Sequence, residues 1–372
     1  MQPSRDMMMR MNLPVLPSHA DDPLRGRGAA ANPRNRFAPL DVVVDDDAHD
    51  PADPGEPVPR PQTQFLRDPT RTIIAHNDSP DVGFDASVNP YRGCEHGCIY
   101  CFARPTHEYL DFSLGLDFET RILVKEDAPE LLRKELSRKG WKPQTLGFSG
   151  VTDPYQPVER KLQITRRCLE VLAEFRNPVA MITKNHLITR DADVLGELAR
   201  FNASMACISV TTLDADLARI MEPRASAPRA RLEAIRALSE AGVPVGVLVA
   251  PVVPGLTDHE MLPIIAAARA HGASFAGYVP LRLPFGLKDL FETWLIQHFP
   301  DRKDKVLNRI RSLRGGKLND SSFHTRMQGQ GPFADQIATM FKLACRKAGM
   351  NEERLTLSTA AFRPHGAQSL FD

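Results

Sequence analysis

Asn89-Pro90-Tyr91-Arg92-Gly93-Cys94-Glu95-His96-Gly97-Cys98-Ile99-Tyr100-Cys101 decides how this chain is read. Three of its six cysteines fall between Cys94 and Cys101, whereas Cys168, Cys207 and Cys345 stand singly. Thiols clustered beside glycines read as a metal loop, because several sulfurs must turn inward to one centre and metal coordination deprotonates them. Gly93 and Gly97 let the backbone wrap without a Cβ clash. Three sulfurs do not complete a tetrahedral zinc site, so a fourth ligand or an open position is implied. One reading is structural zinc held by Cys94, Cys98, Cys101 and His96. The other is an iron–sulfur centre, which thiolates also hold. A thioredoxin-like use of Cys98 and Cys101 leaves Cys94 without a role.

Outward from the loop, Val82 to Asn89 reads as extended and Cys98 to Leu110 as a short helix. Arg121 to Lys125 is a possible strand, followed by a helix from Ala128 to Lys139 with Asp127 as N-cap and Pro129 in the first turn. Strands and helices then alternate. The strands are Thr145–Ser149, Val179–Thr183, Met205–Thr211, Val245–Ala250 and Phe275–Val279. The helices are Thr165–Phe175, Ala192–Arg200, Arg229–Ala241 and His259–His271. Short continuous apolar runs are what parallel strands buried on both faces require. Five or six β/α units in sequence make an α/β protein with a parallel sheet, doubly wound or curled into a partial barrel. In either case functional residues belong at the C-terminal strand ends.

The pattern C-x3-C-x-aromatic-C, filled by Cys94, Cys98, Tyr100 and Cys101, resembles the radical S-adenosylmethionine (SAM) enzymes. The text from Asn89 to about Leu256 is most similar to the subgroup that contains spore photoproduct lyase and its uncharacterised bacterial relatives. The resemblance implies a partial (β/α)6 barrel and a 4Fe–4S cluster on Cys94, Cys98 and Cys101, with its open iron chelating SAM. Reductive cleavage of SAM to a 5′-deoxyadenosyl radical and hydrogen abstraction from a substrate would follow. It also implies a one-electron donor such as flavodoxin or ferredoxin.

By the same resemblance Tyr100 packs near the adenine of SAM. Ser149, Gly150, Thr152 and Asp153 end the strand where the family holds the SAM amino group, although the Gly-Gly-Glu triplet is absent. Asp153 before Pro154 also reads as a turn former. Lys184 resembles a carboxylate-binding lysine, and Ser209 and Thr211 supply hydroxyls at the next strand end. Arg224 is a second candidate anion binder. Arg92 and His96 are read as shaping the loop. Spore photoproduct lyase uses a cysteine after its second strand as hydrogen donor. Gly150 and Val151 stand there in this chain, so photolesion repair is not carried over.

Composition bounds the rest. With 372 residues, 42% of them hydrophobic, the chain can bury a large core. A net charge of +1 gives no global attraction to nucleic acid or to an anionic membrane. No run of eighteen apolar residues is present, and Met1 to Pro14 lacks a signal-peptide core, so a cytoplasmic protein without a membrane partner is expected. Residues 1–75 are rich in proline and carry an acidic run from Asp41 to Glu56, which reads as a disordered tail. Within it the basic stretch Arg25 to Phe37 reads as a solvated linker or, alternatively, a docked segment. The core domain is set at 76–284 and a helical C-terminal extension at 285–372, with helices Lys288–Phe299, Asp304–Leu313 and Phe333–Ala348. Arg302, Lys303, Lys305, Arg309, Arg311, Arg314 and Lys317 form a basic stretch that suits phosphates. With it goes the competing reading of the whole chain, a non-enzymatic zinc or iron–sulfur module that binds nucleic acid. Cys168, Cys207 and Cys345 are read as small buried hydrophobes.

Overall fold

A computed structural model of the chain describes residues 23–38, 61–148 and 150–364. Strands β1 (Gln64–Arg67), β2 (Ile74–His76), β3 (Ala86–Val88) and β4 (Tyr91–Arg92) lead into the cysteine loop. Beyond it come α1 (Leu116–Thr120), β5 (Arg121–Val124) and α2 (Ala128–Leu136). The alternation then runs β6 (Leu146–Phe148), α3 (Glu159–Leu162), α4 (Ile164–Phe175), β7 (Val179–Thr183), α5 (Ala192–Ala199) and β8 (Ser204–Ser209). It continues through α6 (Ala215–Met221), α7 (Pro228–Glu240), β9 (Val245–Val252), α8 (Met261–Ala270) and β10 (Phe275–Pro280). The last helices are α9 (Leu287–His298), α10 (Lys303–Leu313), α11 (Thr325–Gln328) and α12 (Pro332–Ala348).

The main sheet has the order β10-β9-β8-β7-β6-β3-β2. From β3 to β10 its pairs are all parallel, and β2 adds an antiparallel edge. Because β10 does not pair back onto β3, the six parallel strands form an open, partial barrel. Their residues are almost fully buried at Val179–Met181, Ala206, Ile208, Val245 and Val247, as the apolar runs required. Arg121–Val124 is a strand, but it belongs to a separate small sheet, between β1 and β4. The whole span from β4 to α2, cysteine loop included, is the first crossover from β3 to β6. That places the loop directly beyond the C-terminal end of β3.

Two apolar cores result. The larger lies between the sheet and the helices α2, α4, α5, α7 and α8, and takes in Ile337 and Ala344 of α12. The second joins Cys98, Ile99 and Tyr100 to Val253, Leu256, Leu281 and Leu283 beyond β9 and β10, and to Phe291, Trp294 and Ile310 of α9 and α10. The Trp294 indole N–H donates to the Ile220 carbonyl at 3.2 Å. Thus α9 and α10 close the strand-end side of the barrel, while Phe341 of α12 packs at a tilt against Tyr278 of the edge strand β10, 4.7 Å between ring centres. Among the described residues no helix is long and apolar enough to cross a membrane.

Two expectations are corrected. The first α-helix does not begin at Cys98: residues 94–103 are turns, and a 3-10 helix spans Arg104–Leu110. The buried Arg104 guanidinium takes the carbonyls of Gly97, Cys98, Leu114 and Gly115, which ties the loop to itself in place of a helical ladder. Arg25 to Phe37 is not a solvated linker but docks. The Gly28 and Ala29 N–H groups donate to the Glu119 carboxylate at 3.1 and 2.8 Å, and Asn32 and Asn35 bond Asp117 and the Glu108 and Phe112 carbonyls. Of the tail read as disordered, residues 1–22 and 39–60 lie outside the described residues.

Candidate functional site

The cysteine loop is built on glycine. At Gly93 (φ 79°) and Gly97 (φ 67°) the backbone is left-handed, and a Cβ on Gly97 would lie 2.6 Å from the Glu119 carboxylate. A Cβ on Gly28 of the docked segment would lie 1.8 Å from the Gly97 carbonyl, so the segment passes directly over the loop. Thr152 and Gln156, from the turn after β6, donate to the Gly93 carbonyl at 2.6 and 3.5 Å, and Cys94 N–H donates to the Phe118 carbonyl at 2.9 Å. Ile99 N–H donates to the Met221 carbonyl at 3.0 Å, and Arg224 N–H to that of His96 at 3.2 Å. The loop is therefore held through its backbone, by Arg104, Thr152, Gln156 and neighbouring main-chain groups, leaving its three thiols to ligate.

His96 is turned away from the thiols' task. Its Nδ1 lies 3.3 Å from Asp153 Oδ2 and its Nε2 3.1 Å from Asn185 Nδ2, with the ring 1% exposed. Asp153 also accepts from Thr183 Oγ1 at 2.7 Å and from Lys184 N–H at 2.8 Å. Burial pushes the Asp153 carboxyl up, but His96 and these donors outweigh it and leave it below the usual range. With both ring nitrogens engaged, His96 does not complete a Cys3His zinc site.

Burial pushes the thiols of Cys94, Cys98 and Cys101 up, and Asp153 beside Cys94 and Glu222 beside Cys98 add to it. A metal centre supplies the positive charge that ionises thiols placed in this way. Among the described residues no three His, Cys, Asp or Glu side chains group as ligands of one ion. An iron–sulfur cluster takes each thiolate on a different iron, and three thiols on one wrapped loop, Cys94 and Cys98 buried and Cys101 half-buried, fit it.

Beside the loop, at the ends of β7, β8 and β9, lies a buried polar group centred on Glu222. The Tyr100 hydroxyl donates to Glu222 and lies 3.2 Å from Thr211 Oγ1. Thr211 Oγ1 is 2.7 Å from Glu222 Oε1 and 3.0 Å from the Ala250 carbonyl. Lys184 Nζ donates to the Ala250 carbonyl at 2.9 Å, lies 3.7 Å from Glu222 Oε1 and sits 5.7 Å from the Tyr100 ring centre. Arg231 closes the group from below, pairing with the other Glu222 oxygen and donating to the Ser209 carbonyl at 3.1 Å. Burial pushes the Lys184 ammonium down to about 8. This is a cluster of charged and hydroxyl side chains at the strand ends, where open α/β sheets bind ligands.

The structure thus brings Tyr100, Lys184, Ser209 and Thr211 together beside the three cysteines. Gly150 lies at the same rim, with Asn89 and Ser87 3.4 Å from the position of a Cβ. Thr152 and Asp153 are there too, but their side chains are spent on the Gly93 carbonyl and on His96. Ser149 lies outside the described residues. Arg224 is directed elsewhere: its guanidinium meets Glu95 at 3.0 Å and Thr63 at 3.2 Å, under the docked segment. Arg92 bonds Asp68 at 2.8 Å, away from the thiols. Cys168 and Cys345 are buried and Cys207 is half-buried, each apart from the loop. The basic stretch is not one face. Arg314 is buried and donates to four carbonyls, Arg309 pairs with Asp258, and Lys303 with Glu292. Glu222, Arg231, Asn185 and Gln156 escape the sequence reading. Only Glu222 carried a signal, standing two places before a noted arginine.

Residues 88–268 match the family model described as the Radical SAM superfamily. An uncharacterised protein of Mycobacterium tuberculosis is 38% identical over 235 residues, which span 62% of this chain and 67% of that protein. An uncharacterised protein of Methanocaldococcus jannaschii is 25% identical over 223 residues, spanning 60% and 79%. Among solved structures, spore photoproduct lyase complexed with dinucleoside spore photoproduct superposes with a TM-score of 0.55 at 14% identity, over 76% of this chain and 79% of that one. At that identity the likeness is one of fold. The chain belongs to the radical SAM superfamily, whose members imply a 4Fe–4S cluster and SAM.

Proposed function

We propose that this chain is an enzyme that holds a 4Fe–4S cluster on Cys94, Cys98 and Cys101 and binds SAM along Tyr100, Lys184, Ser209 and Thr211. The observation that carries the reading is the pairing of His96 with Asp153 and Asn185, which leaves three thiols without a fourth ligand from the loop. When bound and reduced, these cofactors supply cleavage of the sulfonium C–S bond to methionine and a 5′-deoxyadenosyl radical, which abstracts hydrogen from an unactivated carbon of the substrate.

The chain's own part is positioning. Thr152 and Gln156 fix the loop through the Gly93 carbonyl, and Asp153 keeps His96 out of ligation. Lys184 offers a cation for the SAM carboxylate, held at the right depth by Glu222 and the Ala250 carbonyl. Thr211 and Glu222 pin the Tyr100 hydroxyl and so fix the ring that would lie near adenine. The apolar core from Ile99 to Trp294 excludes water behind the site. A flavodoxin or ferredoxin is the electron donor in this scheme.

The competing reading, a non-enzymatic zinc or iron–sulfur module that binds nucleic acid, loses the histidine of its zinc form to Asp153 and Asn185 and, in either form, loses Arg314, Arg309 and Lys303 of its basic stretch to internal contacts. Anaerobic reconstitution tests the proposal. About four irons and four sulfides per chain are expected, with release of 5′-deoxyadenosine from SAM under dithionite. A fully loaded cluster that yields no 5′-deoxyadenosine would overturn the enzyme reading. Zinc in place of iron would overturn the cluster.

A further inference from the structure

A second concavity, a groove of about 670 Å³, lies between the docked N-terminal segment and the back of the cysteine loop. It reaches Glu95, the residue next to Cys94, and shares none of the strand-end group around Lys184. Among the described residues its charged lining is Arg25, Arg27, Lys161 and Arg224 against Glu95 alone. Glu95 is already spent, bonded by Arg224 at 3.0 Å and by Val158 N–H at 2.8 Å. The groove is therefore strongly electropositive in a chain whose net charge is only +1.

The cations divide into two kinds. Arg27 donates to the Glu119 and Pro61 carbonyls and to Thr63, and Arg224 to Thr63 and Glu95, so their forks are committed to holding the segment down. Arg25 and Lys161 are exposed and have no ion pair among the described residues. Between them Phe65 of β1 stands 48% exposed. Committed forks do not grip a small anion bidentately. Exposed cations around one bare aromatic ring instead suit a transient protein encounter, steered by charge and small in area.

Resting on the function proposed above, we infer that this groove docks the acidic face of a one-electron carrier protein, which reduces the cluster through the back of the loop at Glu95. The carrier's anionic flavin hydroquinone is oxidised to the neutral semiquinone as the cluster goes from the 2+ to the 1+ state. No proton and no covalent bond passes between the proteins. The opposite side of the loop stays free for SAM and substrate, so reduction and chemistry do not compete for one opening.

The test uses reconstituted full-length chain, a bacterial flavodoxin in its hydroquinone form, and the double variant Arg25→Glu/Lys161→Glu. Stopped-flow bleaching of the cluster should be roughly tenfold slower in the variant at low salt, and the parent rate should fall as salt is added. Bleaching by dithionite should be the same in both. Anisotropy of labelled flavodoxin against each chain should show the same loss of binding. Equal flavodoxin rates and affinities overturn the groove. So does faster or tighter engagement by the variant, the result expected if the acidic run Asp41–Glu56 of this chain competes for it. A chain with no dithionite-reducible cluster defeats the cluster reading instead. The anisotropy still decides the docking, and parent binding that is absent or insensitive to salt overturns it.

Discussion

Asp153 Oδ2 stands 3.3 Å from His96 Nδ1, at the point where the turn after β6 meets the cysteine loop. This contact separates two centres that the same four residues allow, a closed Cys3His zinc site and an open three-thiolate cluster. His96→Ala is expected to keep about four irons per chain. Iron, sulfide and zinc assays on the reconstituted variant check it. Loss of the metal with the imidazole would mean that His96 is a ligand.

Glu119 carries the weight of the N-terminal segment. It is fully buried, pairs with Arg104 and accepts the Gly28 and Ala29 N–H groups. Removing one partner of a buried pair typically costs about 3–5 kcal/mol. Glu119→Ala should lower the denaturation midpoint accordingly and open the chain to trypsin at Arg25 and Arg27. Limited proteolysis followed by mass spectrometry reads this out, and resistance equal to the parent would show that the segment is held by other contacts.

How far the sequence reached follows from what kind of interaction holds each part. Val179–Thr183 was legible in full, and Val245–Val252 as far as Ala250, because burial on both faces leaves a continuous apolar run. Arg121–Val124 was legible as a strand but not in its place, because its partner Gln64–Arg67 alternates half-buried and exposed residues inside a proline-rich stretch. The docking of Arg25 to Phe37 left no pattern, since it rests on backbone N–H groups, small residues and asparagines rather than on apolar periodicity. The cysteines announced themselves by spacing. Glu222 and Arg231 did not, because a buried pair nine residues apart looks like any charged helical surface.

His107 makes stability depend on pH. Burial holds its imidazole down to about 4, against an ordinary value near 6.5, and its Nδ1 has no partner. Between those values the unfolded chain binds a proton that the folded chain refuses. Stability is therefore complete above about pH 6.5 and falls as the pH drops, by about 2 kcal/mol at pH 5. His107→Gln should flatten that part of the profile. Urea denaturation of both chains at pH 7 and pH 5 measures it, and an equal drop in the variant would assign the pH dependence to other groups.

Lys184 ties the candidate SAM site to the fold. Its ammonium is buried, donates to the Ala250 carbonyl at 2.9 Å and has Glu222 at 3.7 Å, so it is held at the strand ends with donor capacity left over. A ligand carboxylate there gains a charge-assisted hydrogen bond worth roughly 1.5–3 kcal/mol. Lys184→Met keeps the length of the stem and removes the charge. It should weaken SAM binding by about ten- to a hundredfold while the iron content stays that of the parent, since Lys184 does not hold the loop. Calorimetry with SAM, or displacement by S-adenosylhomocysteine, on the reconstituted proteins checks both halves. An unchanged affinity would remove Lys184 from the site and shift the carboxylate contact to the hydroxyls of Ser209 and Thr211. Loss of iron would instead show that the Lys184–Glu222 contact props up the cysteine loop, because Tyr100, between Cys98 and Cys101, hangs from that same glutamate.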